Sequence, residues 1–316
     1  MNVTRSEQGK PVCLINDAMD AAPLTPQRLA AAGGGWAADA DDWGPWQSAA
    51  GVWQGRAAGA ANRQIRVVGE IPSTMGAART CMERGALSPG DAILALSQTS
   101  GRGRMGSTWD SPAGNLYVSW RWMPLGGGSD GPWKQWASLL VGYGLVRSLE
   151  DAVPGLAVKW PNDLVRKADR TGNRVEKLGG ILVEARDETI LVGLGINLCS
   201  APALTPQAGP VPGILPPPFR DMGPLSFWVW LFPRLQDAMN RMAADGRPSA
   251  LFAALNRRLI WKGRQVVLTS GHTRACGVLA GVADDGGLII DSRRETERVR
   301  MIYYTGRLRL ASEGLS

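Results

Sequence analysis

The periodicity of the chain changes once, at Trp261, and that change bounds the folds open to it. Between Ile65 and Ile260, β-rich runs alternate with helical stretches. After Trp261 only short runs broken by glycine remain (QVVLTS, ACGVLAGV, GLIIDS, RVRMIYY and RLRL), the pattern of a small all-β barrel. The earlier part predicts an α+β domain with a mixed sheet. Its β-rich start (IRVVG) leads to a helix over Thr74–Arg84, with Ser73 as N-cap and Gly85 as stop. Alternation over Leu116–Trp122 puts Leu116, Val118, Trp120 and Trp122 on one face of a strand. A helix over 132–150, strands over 156–160, 178–185 and 190–198, and helices near 225–243 and 248–260 complete the expectation. Eight of the 21 prolines fall between Ser200 and Pro224, which forbids a helix there and leaves a long loop, as a lid or a surface insertion. Residues 1–62 hold Trp36, Trp43, Trp46 and Trp53 among turn formers with no sustained period, and read as an extension whose loss leaves the chemistry intact. The expected domains are therefore 1–62, 63–260 and 261–316.

Residue counts remove much of the catalytic menu. His272 is the only histidine and lies in the turn-like TSGHTRACG, so His-ligated zinc and HExxH sites are excluded, and Ser-His-Asp or Cys-His catalysis could rest only on it. Cys13, Cys81, Cys199 and Cys276 lie far apart with no CxxC pair and read as reduced thiols. The apolar stretches are shorter than the roughly 20 residues of a membrane span, and MNVTRSEQGK lacks a signal core, so the expected location is the cytoplasm. The formal charge is +7, yet residues 1–62 hold four cations against six anions. The basic balance therefore lies further on, where it could serve nucleic acid, a nucleotide or an acidic protein, and an N-terminal DNA-binding arm is disfavoured.

Four constellations carry chemistry. The first, Gln98-Thr-Ser-Gly101-Arg102-Gly103-Arg104-Met105-Gly106, enters Trp109-Asp-Ser-Pro-Ala-Gly-Asn-Leu-Tyr. Its glycines let backbone amides approach an oxyanion, and Arg102 and Arg104 offer forked donors. It precedes a strand instead of opening a helix, so the dinucleotide fingerprint does not apply, and no P-loop is present. The second, Lys159-Trp-Pro-Asn162-Asp163, stops a strand and turns, presenting Lys159 and Asp163 at a strand end, or forming only an Asx turn. In the third, Lys177-Leu-Gly-Gly180, a lysine enters an apolar strand beside two glycines that clear space for an anion; a lysine pointing to solvent is the alternative. In the fourth, Gly193 and Gly195 open a flat path along one strand face, followed by Asn197, which could offer a donor and an acceptor to a nucleobase edge.

In this order and spacing, the serine-threonine helix start and the four motifs resemble the biotin protein ligase family over about residues 65–310. The resemblance implies an α+β fold: a mixed-sheet catalytic domain of the biotin/lipoate protein ligase type with a small C-terminal SH3-like β-barrel. It implies ATP-dependent formation of biotinyl-5'-AMP with Mg2+, then transfer of biotin to a lysine of a biotin carboxyl carrier domain. Ser73, Thr74, Gln98, Gly101, Arg102, Lys177 and Gly180 would bind biotin. Arg104, Trp109, Lys159, Asn162, Gly195 and Asn197 would bind ATP and the adenylate. Lys177, Arg102, Arg104 and Asp163 would carry the chemistry, Asp163 by supporting the cations.

Met105 and Ser107 stand where the family pattern has arginines, and Met75 where a polar residue is common. The segment associated with closing over adenine is here the proline-rich 200–224 stretch. Some family members add a winged helix that represses transcription; residues 1–62 carry neither its helix period nor its basic charge, so no DNA partner is expected. A homodimer is compatible with the resemblance. The alternatives are a lipoate-type ligase on the same fold, whose histidine-containing motif this chain lacks, and a biotin-sensing regulator.

Overall fold

The structure is a computed structural model that describes residues 12–14, 24–49, 51–55, 63–123, 133–186, 189–203, 209–244, 247–294 and 297–311. In chain order the elements are β1 (Val12–Leu14), α1 (Pro26–Ala31), α2 (Trp36–Asp42), β2 (Gln47–Ala49), β3 (Val52–Gln54), β4 (Ile65–Ile71), α3 (Thr74–Glu83), β5 (Ala92–Gln98) and β6 (Leu116–Arg121). There follow α4 (Trp133–Leu149), β7 (Leu156–Lys159), β8 (Asp163–Lys167), β9 (Val175–Arg186), β10 (Thr189–Ile196), β11 (Val211–Pro212), α5 (Pro224–Ala244) and α6 (Pro248–Asn256). The last strands are β12 (Gln265–Ser270), β13 (Thr273–Val282), β14 (Leu288–Arg294), β15 (Glu297–Tyr303) and β16 (Arg307–Leu310). The residues group into two compact units, one of 1–124, 182–201 and 214–232, the other of 125–181, 202–213 and 233–316. None of the described helices is long and apolar enough to cross a membrane.

In the first unit the strands run β2-β3-β1-β4-β5-β6-β10. β4 pairs in parallel with β1 and β5, while β6 is antiparallel to β5 and β10, so the sheet is mixed as expected. The helix α3 links the parallel pair β4 and β5. Its apolar residues Met75, Ala78, Cys81 and Met82 recur at helical spacing and pack on Val68, Ile71, Ile93 and Leu191. Truncating Met75, which is almost fully buried, would cost about 2–5 kcal/mol.

Residues 1–62 do not behave as an appendage where they are described. β1 lies directly beside β4, with Cys13 opposite Arg66, and the β2–β3 hairpin continues the sheet from β1. Thr25 caps α1 by accepting from Arg28 N at 3.2 Å, with Pro26 in the first turn. In α2, Trp36 and Asp39 are fully buried. Elements of three to seven residues are too short to show a period, which is why the sequence reads as featureless there. Three of the four tryptophans are thus anchors: Trp36 is fully buried, Trp43 Nε1 donates to Ser226 Oγ at 3.1 Å and Trp46 Nε1 to the Ala40 carbonyl at 2.7 Å.

In the second unit β7 and β8 form a hairpin, β8 pairs with β9, and the short β11 lies parallel to β9. The sequence treats Asp163 as a turn residue; it instead begins β8, directly opposite Lys159. Gly142 of α4 faces Val158 and Ile181, where an added Cβ would lie 3.4 Å from Val158, and Gly144 faces Leu235 and Met239, so both neighbours approach the helix closely. The C-terminal strands form one antiparallel sheet in the order β15-β14-β13-β12-β16, meeting the small-barrel expectation at the level of an all-antiparallel sheet.

The proline-rich stretch is not a simple surface loop. Its residues 211–212 add β11 beside Glu176 and Lys177 in the second unit, while in the first Leu215 and Phe219 are buried and Phe219 packs on Phe227 at 5.6 Å. Proline excludes an α-helix through the stretch, leaving one 3-10 turn over Phe219–Asp221, but it does not exclude burial. Residues 204–208 lie outside the described ones.

Candidate functional site

Ser73 occupies the N-cap of α3 with extended backbone (φ −165°, ψ 136°), yet its side chain makes no cap hydrogen bond. Gln98 takes that role from the neighbouring strand. Its Oε1 accepts from Thr74 N at 2.8 Å and from Thr74 Oγ1 at 3.2 Å. The ladder makes this possible, because Gln98 stands opposite Ile71, the last residue before the turn into α3. Thr74 Oγ1 accepts from Ser119 Oγ at 2.8 Å, and Gln98 Nε2 donates to Ser111 Oγ at 2.9 Å. Ser111 Oγ then donates to the Trp109 carbonyl at 3.0 Å. A connected polar thread thus borders an apolar cluster, with Ser73, Thr74, Ser111 and Ser119 all buried. Such groups tolerate burial because they satisfy one another. Sequence reasoning found Ser73, Thr74 and Gln98 but missed Ser111 and Ser119, which carry no local signal beyond the W-x-S-P motif.

The arginine segment is a small hairpin. Trp109 N donates to Gly101 O at 2.8 Å, Gly103 N to Ser107 O at 2.7 Å and Ser107 N to Arg104 O at 3.1 Å, with Arg102 bridged to Thr108. A Cβ at Gly101 would lie 2.5 Å from Ser111 Oγ, so only glycine fits against the polar thread. Arg102 is exposed and Arg104 half-buried. Met105 sits at the tip in the left-handed region (φ 53°, ψ 39°), 60% exposed, and Ser107 Oγ donates to Arg104 O at 2.8 Å. The two departures from the family's arginines therefore shape the turn instead of adding charge.

The flat path expected along β10 is filled. A Cβ at Gly193 would lie 2.9 Å from both Cγ and Sδ of Met75, and one at Gly195 would lie 2.8 Å from the Trp109 indole. Trp109 therefore rests on Gly195. Asn197, just past the strand, is buried, and its carbonyl accepts from Leu215 N at 2.9 Å. The chain after it is held by Asn115, whose place in the Trp109–Tyr117 motif carries no local signal of this role. Asn115 Oδ1 accepts from the amides of Leu198, Cys199 and Ser200 at 2.8, 3.0 and 3.2 Å.

In the second unit Asp163 joins two lysines. Its Oδ2 accepts from Lys159 Nζ at 2.8 Å and its Oδ1 pairs with Lys177 Nζ at 2.7 Å. Burial pushes the Asp163 carboxyl up, but the two ammonium charges and their hydrogen bonds outweigh it and hold it down at about 2. Lys159 is nearly as buried as Asp163, whereas the Lys177 side chain is 33% exposed. Lys177 thus carries the more accessible ammonium of the two, and Asp163 fixes its position. Gly180 stands opposite Asp163 across the β8–β9 ladder. Asn162 Nδ2 donates to the Ile181 carbonyl at 2.8 Å, and Ile181 N donates back to Asn162 O at 2.9 Å, so this asparagine anchors the turn to β9. Trp160 Nε1 ties the same turn to the C-terminal sheet by donating to Gly286 O at 3.1 Å.

A mixed sheet bearing a polar thread and an arginine hairpin, and a carboxylate-fixed lysine in the other unit, define an α+β protein equipped to bind small polar and anionic molecules. Residues 68–198 match the biotin/lipoate A/B protein ligase family. Over 208 residues, 63% of this chain and 82% of the other, it is 28% identical to "Biotin--[acetyl-CoA-carboxylase] ligase" of Paracoccus denitrificans. It is 40% identical over 122 residues to "Bifunctional ligase/repressor BirA" of Escherichia coli K12, a stretch covering 36% of this chain and 35% of BirA. The solved biotin protein ligase from Aquifex aeolicus in complex with biotin and ATP shares the fold, with a TM-score of 0.57 and 22% identity over 78% of this chain and 99% of that one.

Proposed function

We propose that the protein is a biotin protein ligase that joins biotin to ATP and then passes it to a carrier-domain lysine in the cytoplasm. The observation that carries this reading is the Gln98–Thr74–Ser119 thread at the edge of an apolar cluster, since a ureido ring on a hydrophobic bicycle needs donors and acceptors in such a wall. Ser73, Thr74 and Gln98 would hold that ring, and Gly101 and Arg102 the tail. In the first step a biotin carboxylate oxygen attacks the α-phosphorus of ATP, the α–β phosphoanhydride bond breaks and pyrophosphate leaves. Two anions must meet for this, and Lys177, Arg102 and Arg104 offset their repulsion. Asp163 acts as a positioning residue for Lys177. In the second step the carrier amine attacks the acyl carbon, its C–O bond to phosphate breaks, AMP leaves, and the amine's proton passes to solvent. Trp109, Gly195 and Asn197 belong to the adenylate end in this reading, with Lys159 and Asn162 supporting it from the β7–β8 turn.

Among the described residues no group of three or more His, Cys, Asp or Glu is placed to hold a metal. Mg2+ would therefore enter on the phosphate oxygens of ATP, and no residue of this chain is assigned to it.

Mass spectrometry of a purified carrier domain incubated with the protein, ATP and either biotin or lipoate tests the reading. A single biotinyl adduct on one lysine is expected; a lipoyl adduct alone would move the protein to lipoate chemistry.

A further inference from the structure

Where β10 ends, one side chain sets the path of the backbone. Asn115 is 1% exposed, and its Oδ1 receives three successive amides, those of Leu198, Cys199 and Ser200. A carbonyl oxygen has two lone pairs, so three donors converging on it form a concave nest that holds the chain to one course. The Nδ2 grips the same segment, donating to Ser200 O at 3.0 Å and to Ser200 Oγ and Tyr117 Oη at 3.2 Å each. Tyr117 Oη donates in turn to the Pro112 carbonyl at 2.9 Å, and Tyr117 stands opposite Gly195 in the β6–β10 ladder. Residues 112–117 and 195–200 are thereby one block, with Asn197 buried inside it.

The N-terminal segment backs this block. Gly34, left-handed at φ +57°, lies so close that a Cβ there would stand 2.6 Å from Gly114 Cα and 3.5 Å from Cys199 Sγ. From the other side of the seam, a Cβ at Gly114 would run into the same sulfur. Two glycines and a thiol therefore meet with no space for a methyl group, and a shift of the 33–35 turn passes directly to Asn115, the next residue after Gly114. Gly33 is also left-handed, at φ +78°, but a Cβ there meets nothing within 4 Å, so Gly34 makes the contact and Gly33 does not. A role in stability alone would be met by any acceptor for the three amides. Here the acceptor is buried, braced from behind and set at the exit of the strand that carries Gly195.

We propose that Asn115 is a positioning residue for the adenylate end of the site, and that the Gly33-Gly34-Gly35 turn of the N-terminal segment braces it. The proposal rests on the ligase reading, which puts Trp109, Gly195 and Asn197 at that end, and it adds what holds Asn197 in place there. Asn115 and Gly34 touch backbone and not the reacting atoms. Their loss therefore weakens nucleotide binding and leaves the chemical step and biotin affinity in place.

The test uses the full chain and the variants Asn115→Ala, Asn115→Asp, Gly34→Ala and Gly33→Ala. In pyrophosphate-release assays KM for ATP is expected to rise about tenfold in Asn115→Ala and Gly34→Ala, with kcat and the biotin Kd within about twofold of wild type. Asn115→Asp keeps an oxygen for the three amides and is expected to recover part of that loss. Gly33→Ala carries the same left-handed strain without the contact and is expected to leave KM for ATP as in wild type. Amide hydrogen exchange over residues 198–200 is expected to quicken in Asn115→Ala and Gly34→Ala only. If Gly34→Ala does not fold, Cys199→Ala, which takes the sulfur out of the seam, replaces it with the same expected direction. Isothermal titration of ATP reads the nucleotide end even if no pyrophosphate is released, so failure of the ligase reading is seen separately. Equal ATP affinity in wild type, Asn115→Ala and Gly34→Ala would overturn the proposal. So would an equal loss in Gly33→Ala and Gly34→Ala, or biotin affinity and kcat falling together with ATP affinity.

Discussion

Ser226 Oγ donates a 2.6 Å hydrogen bond to the Asp39 carboxylate, from 187 residues further along the chain. The same carboxylate accepts from Leu225 N at 2.8 Å and Ser226 N at 3.0 Å, so a side chain of the N-terminal segment satisfies the first turn of α5. Burial pushes its carboxyl up to about 6 despite these bonds. A Cβ at Gly35 would lie 2.6 Å from Gly223 Cα, and one at Gly34 would lie 2.6 Å from Gly114 Cα. The N-terminal segment therefore seats against both the turn that ends in Asn115 and the start of α5.

Asp39→Ala is expected to lower stability by about 2 kcal/mol, since it leaves two amides and a hydroxyl without their acceptor. Urea unfolding followed by tryptophan fluorescence measures it. Deleting residues 1–62 is expected to give an insoluble or molten product, because it strips the β1 pairing from β4 along with buried Trp36; a truncated protein with wild-type melting would contradict that role.

The two lysines on Asp163 are expected to separate by experiment. Lys177→Ala should retain the fold and lose about 2–4 kcal/mol of transition-state stabilisation in adenylation. Lys159→Ala should instead lower the melting temperature, because its ammonium is spent inside the protein. Pyrophosphate release and thermal melts on both variants give the comparison.

The Asp163 carboxyl titrates at about 2 in the folded chain against an ordinary 3.8. Its stabilisation is thus present above pH 4 and lost as the pH falls toward 2, amounting to about 2 kcal/mol. Stability of the wild type measured against Asp163→Asn should converge across that acid window and differ above it.

Gly195→Ala is expected to damage activity more than Gly193→Ala. The first forces a Cβ into the rigid Trp109 ring, while the second meets Met75, whose flexible end can move. Steady-state KM for ATP in the two variants reads the difference.

Trypsin should cut after Arg102 or Arg104 in the free protein, with protection by biotin plus ATP, since the hairpin holds only a few backbone bonds and an exposed Arg102. Peptide mapping with and without ligands checks this. Equal cutting in both states would show that the loop does not order on the adenylate.

The glycine, arginine and lysine motifs, the alternation of β6 and the switch to short strands after Trp261 are local, and the sequence by itself determined them: spacing and period suffice for each. Tertiary structure alone decided that Gln98 and not Ser73 caps α3, that Asp163 begins a strand between two lysines, that Trp109 lies on Gly195, and that Asp39 caps α5. Each of those depends on a partner brought near by strand register or by packing across distances from 4 to 187 residues, where no local period records which neighbour a side chain will meet.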